Sequence, residues 1–130
     1  MPFMLMEHDT DPAQNLRDAL GDISSMQVFG NQVLVAIYVR PQKTAGGIYL
    51  TDNTTDEDKF QGKVGLVVKT GPDAFTDPSG EWFNGIEVGL GDWVYYRVSD
   101  GWMVNVHGVC CRILLDTQIR GKVAFPDEIW

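Results

Sequence analysis

The sequence predicts an all-β fold, a small β-barrel or sandwich, preceded by one short helix. Three observations carry this reading. From Gln27 onward, short runs rich in Val, Ile, Tyr and Trp recur between turn residues. Glycine supplies 14 of the 130 residues, more than average usage, as tight turns between short strands require. Before Gln27 the texture differs: a helix-start signature leads into apolar residues at helical spacing. At 130 residues there is room for one core, so the chain reads as a single domain with extensions.

In Asp9-Thr10-Asp11-Pro12 an N-cap candidate, acidic first-turn residues and a first-position proline coincide. Ala13, Leu16 and Leu20 then share one face, and Gly21 is the natural stop. So short a helix has to dock on something to persist. Val33, Val35, Ile37 and Val39 next lie on one face of a strand, with Leu34, Ala36 and Tyr38 on the other. A strand apolar on both faces is covered on both sides. Pro41 ends it. In the following strand Val64, Leu66 and Val68 alternate with Lys63, Gly65, Val67 and Lys69, which predicts one wetter face. Asp77-Pro78-Ser79-Gly80 and Asn84-Gly85 are turn signatures around Glu81-Trp82-Phe83. Trp93 to Val98 reads as a strand, with Ser99-Asp100-Gly101 as a hairpin turn into Trp102 to Val106. Val109 to Leu115 is a further strand, and the chain closes on Ala124 to Trp130.

Charge and composition exclude several functions. A net charge of -8 disfavours a phosphate backbone, so no nucleic-acid partner is expected. No stretch reaches transmembrane length and the apolar start lacks a basic flank, so neither membrane nor secretion is expected. The only cysteines are the adjacent Cys110 and Cys111, which favour a reducing, cytoplasmic location. With His107 they supply too few ligands for a structural zinc site, and their default role is as small buried hydrophobes. No acid–base pair or phosphate loop is recognisable, so no enzyme, cofactor or metal is expected.

One stretch stands apart. Lys43-Thr44 and the hinge Ala45-Gly46-Gly47 run into the apolar triplet Ile48-Tyr49-Leu50, inside an otherwise polar, acidic loop between two strands. Apolar residues at such a place either tuck onto their own domain or are offered to a partner. The order of Gly30 to Val35, Ala45 to Leu50, Gln61 to Val64, Thr70-Gly71 and Val88-Gly89-Leu90-Gly91-Asp92-Trp93-Val94 resembles the small co-chaperonin family of GroES type. The resemblance covers about residues 28 to 123. It implies a small irregular barrel with a long mobile loop and a roof hairpin, assembled as a homo-oligomer, a seven-fold ring. That ring lids an ATP-loaded chaperonin of GroEL type. By the same resemblance Ile48, Tyr49 and Leu50 dock on the chaperonin, with Ile48 and Leu50 as anchors. Trp82 and Phe83 fall in the roof hairpin, either packing it or meeting the enclosed client.

The chain departs from the family pattern at both ends. An extension, residues 1–27, precedes the barrel at 28–123, and residues 124–130 follow it, with Phe125, Ile129 and Trp130 in need of burial. Tyr49 replaces a smaller aliphatic residue. Such an extended form resembles a viral or phage-encoded member more than a housekeeping one. The extensions also favour an alternative: a structural or assembly protein, such as a virion-associated ring, that uses the same fold without binding a chaperonin.

Overall fold

Helix α1 spans Pro12–Leu20, with the Asp11 carboxylate accepting a hydrogen bond from the Ala13 N–H at 3.3 Å. Proline leads the helix, where its missing N–H leaves nothing unsatisfied. The expected acidic first turn is not there, because Asp11 is the cap itself and no acid follows it in that turn. Gly21 ends the helix at φ +66°, its N–H donating to the Arg17 carbonyl at 3.0 Å. Ala13 and Leu20 are buried with Leu16 beside them. A nine-residue helix gains its stability from that docked face.

The structure, a computed structural model, describes residues 11–39, 63–76 and 87–128. After α1 come β1 (Gln32–Ile37), β2 (Val64–Thr70), β3 (Trp93–Tyr95), β4 (Trp102–Val106), β5 (Val109–Leu115) and β6 (Gly121–Val123). They form one six-stranded antiparallel sheet in the order β4-β5-β1-β2-β3-β6. This is a mostly β, barrel-like fold with one short helix, as the sequence predicts. β1 lies inside the sheet, and Val33 to Ile37 are each no more than 1% exposed. Leu34 and Ala36 join Val64, Leu66, Trp93 and Cys111 in the cluster that α1 covers. Val33 and Val35 join Val67, Val94, Tyr96 and Leu114 on the other face, beneath Ala74, Phe75, Val88 and Ile119.

Three features of the sheet correct the sequence reading. β2 has no continuous wet face, because Gly65 and Val67 are buried between β1 and β3. A bulge contributes: Leu34 pairs with Lys69 and Val35 with Val67, which leaves Val68 as the extra residue. Cys111 is buried but its neighbour Cys110 is only half-buried, because successive strand residues face opposite ways.

The third correction concerns topology. Residues 97–100 do turn, with the Asp100 N–H donating to the Arg97 carbonyl at 3.1 Å, yet β3 and β4 are not neighbours. The turn carries the chain across to the far edge of the sheet. It is held by buried Arg112 of β5, whose Nη1 donates to the carbonyls of Val98 at 2.8 Å and Asp100 at 2.7 Å. The same guanidinium lies 5.7 Å from the Tyr96 ring centroid. The true hairpin joins β4 to β5 through His107 (φ +51°) and Gly108 (φ +84°). Positive φ at both central residues is the pattern that matches strand twist in a two-residue turn.

Two consequences are measurable. A Cβ at Gly71 would meet the Gly30 carbonyl oxygen at 2.2 Å, with backbone on both sides of the contact. Gly71→Ala should therefore cost about 1–3 kcal/mol in denaturant unfolding. Burial pushes the Cys111 thiol up to about 11, with Cys110 adding to the shift. At pH 8 iodoacetamide should accordingly modify Cys110 in the folded protein and leave Cys111 until the chain is unfolded, as peptide mapping would show.

Candidate partner-docking loops and their roots

The long polar segment after β1 departs from a well-defined place. The β1–β2 ladder continues past Ile37 and Gly65 to a hydrogen bond from the Tyr38 N–H to the Val64 carbonyl at 3.0 Å. Residues 40–62 therefore leave and re-enter at adjacent positions on the ladder. Tyr38 is buried there, its ring edge-to-face with Trp93 at a centroid distance of 5.6 Å. Its hydroxyl donates to the carboxylate of Asp127. Asp127 and the fully buried Pro126 belong to a 3-10 turn, Pro126–Glu128, so the C-terminal segment folds back on the root of this loop. Phe125 beside it is 52% exposed and does not find the burial its type calls for.

The second excursion, residues 77–86, also has a fixed root. Asp116 is buried: one carboxylate oxygen accepts from the Asn31 side chain at 3.0 Å and the other from the Phe75 N–H at 3.0 Å. Its own N–H donates to the Asn31 carbonyl at 2.9 Å. This holds Phe75 at φ +58°, a conformation an aromatic residue seldom adopts unaided. On the returning side the Lys122 ammonium donates to the Glu87 carbonyl at 2.8 Å and lies 3.9 Å from Asp92. Ala74, Phe75 and Val88 pack on the same face of the sheet.

Ala45, Gly46, Gly47, Ile48, Tyr49 and Leu50 lie outside the described residues, as do Trp82, Phe83, Ile129 and Trp130. The described residues bring together what carries the two loops. Sequence reasoning missed Asp116, Asp127 and Arg112, the three charged residues buried among the described ones, which pin the ends of the two excursions and the β3–β4 connection. No spacing rule joins Asn31 to Asp116, 85 residues on, or Tyr38 to Asp127, 89 residues on. The signal for Asp116 is only its place directly after a strand.

The described residues hold no group of three or more His, Cys, Asp or Glu arranged for a metal ion. Burial pushes the Tyr96 phenol above its ordinary range, with Arg112 opposing, so this group does not exchange protons near neutral pH. No described helix is long and apolar enough to cross a membrane. What the arrangement does is fix, by hydrogen bonds, the points on the sheet where residues 40–62 and 77–86 begin and end.

A family model described as the chaperonin 10 kDa subunit matches residues 25–123. The match runs from just before β1 to the end of β6; α1 lies before it, and the Pro126–Glu128 turn after it. Members of this family are co-chaperonins that work with chaperonin rings of GroEL type, assemble as oligomers and are not enzymes in general. With six antiparallel strands in the matched region, the chain belongs to the chaperonin 10 kDa subunit family.

Proposed function

We propose that this chain assembles into a seven-fold ring that lids an ATP-loaded chaperonin, docking through Ile48, Tyr49 and Leu50. The observation that carries the reading is the root of the segment holding that triplet. Residues 40–62 start and finish at one corner of the β1–β2 ladder, and Tyr38, Trp93 and Asp127 stiffen that corner. A loop on such a base can move as a tether while the barrel stays fixed. In an extended triplet Ile48 and Leu50 project to one side and Tyr49 to the other, so the two aliphatic residues are the anchors. Gly46 and Gly47 supply the hinge.

Weak individual docking suits a lid that must leave again. Ordering about ten loop residues costs on the order of 10 kcal/mol of backbone freedom, which offsets much of the apolar gain. A ring of such loops then binds firmly through effective concentration. Trp82 and Phe83 belong to the roof hairpin in this reading, where they pack the hairpin or meet the client. Both thiols are free, which suits the cytoplasmic location that belongs to the same proposal.

The alternative, an assembly ring without chaperonin binding, drew on arms exchanged between subunits. The described parts of both arms instead bury their residues on their own chain: Ala13 and Leu20 in α1, Pro126 and Asp127 in the final turn. Binding of the purified protein to a bacterial chaperonin, with and without ATP, tests the choice. Nucleotide-dependent binding should fall roughly a hundredfold or more with Ile48→Ser and Leu50→Ser together, since each buried aliphatic contributes about 1.5–3 kcal/mol. Binding that survives the double substitution would remove the triplet from the interface.

A further inference from the structure

We propose that His107 is a latch that holds α1 against the barrel, and that protonation of its imidazole tightens the hold. His107 Nδ1 lies 2.6 Å from the carbonyl oxygen of Leu20, the last residue of α1. That carbonyl belongs to the final helical turn, whose acceptors have no partner within the helix. A proton on Nδ1 completes the bond. The imidazolium always carries one there, whereas the neutral ring does so in only one of its two tautomers. The negative end of the helix dipole favours the cation further.

The turn that carries His107 is built to present it. The residue sits at φ +51° in the two-residue β4–β5 hairpin, a position where Asn or Gly is the usual choice. The Asn105 side chain accepts from the Gly108 N–H at 2.9 Å and fixes the turn. Charged groups around the latch act in both senses. Asp22, just after α1, has its carboxyl held below the ordinary range by the Ser24 hydroxyl and N–H, with smaller contributions from His107 and Lys69. It therefore stands as an anion that favours the imidazolium, and Lys69 on β2 lies within reach of the same carboxylate. In the last two turns of α1, Arg17 adds positive charge and Asp18 negative, the latter engaged by the Gln14 side chain at 2.8 Å. On the hairpin side half-buried Cys110 follows three residues on, in β5.

The position of the latch gives it meaning. α1 lies before the family match at residues 25–123, and His107 lies inside it, so the bond ties an added element to the shared barrel. α1 packs on β2 and β5 without joining the sheet, so no strand pairing runs through it. The latch thus sets how often the helix opens, more tightly in acid than in base.

Amide hydrogen exchange of Leu16 to Gly21 in the full chain reads that opening, with His107→Asn as the variant. Asparagine tolerates the left-handed backbone, so the hairpin is kept. Taking the ratio of variant to parent at each pH cancels the intrinsic pH dependence of exchange, and His8 is common to both chains. The ratio should be roughly two- to five-fold at pH 6, the range a cation at a helix C-terminus commands, and clearly smaller at pH 8. Urea midpoints should be nearly equal. A ratio of one at pH 6 overturns the latch, and an equal ratio at both pH values overturns the protonation step. A variant whose barrel amides loosen as much as α1 overturns the claim that the helix opens independently.

Discussion

Burial of β1 on both faces is the constraint on which the rest of the structure depends. Five successive residues, Val33 to Ile37, are withdrawn from water, and the side chains of Val33 to Ala36 alternate between two apolar clusters. Burying each large aliphatic side chain contributes about 1.5–3 kcal/mol, so this one strand outweighs any other local feature. A slip of one residue would exchange the two sets between faces that do not match them. β2 and β5 are registered on β1 directly, β3 and β4 through them, and β6 through β3. The β1–β2 ladder also fixes the departure point of the long segment that holds the apolar triplet.

Buried charged groups perform the finer positioning. Arg112 steers the connection from β3 to β4, Asp116 fixes the start of the second excursion, and Asp127 braces the root of the first. Each binds backbone carbonyls, an N–H or a hydroxyl, which offsets its desolvation in part; Arg112 Nε is buried without a hydrogen-bond partner. The apolar clusters hold the sheet together, and these three side chains determine where its loops begin.

The sequence made some of this legible and hid the rest for physical reasons. Periodicity is a local signal, so the boundaries of α1 and the two-sided character of β1 could be read from neighbouring residues. Asp11, Pro12 and Gly21 mark the helix because capping chemistry acts within one turn. Ser99-Asp100-Gly101 misled because turn residues specify a reversal and not which strands then pair; that depends on Arg112, farther along the chain. His107-Gly108 was overlooked as a hairpin because histidine is an uncommon choice for its first position. The tyrosine–aspartate and asparagine–aspartate ties join residues more than eighty positions apart, beyond any spacing pattern. Of the proposed docking site, the composition of Ala45 to Leu50 was legible, and the described residues flank the segment that holds it.

The proposed lid would act by closing a chamber around another protein. Chaperonin-assisted refolding tests this most directly. A client that a bacterial chaperonin cannot refold with ATP alone would be offered with and without this chain. The account predicts that adding the chain raises the yield of active client, and that the gain requires ATP. An unchanged yield, with the chain folded and assembled as judged by its mass in solution, would contradict it.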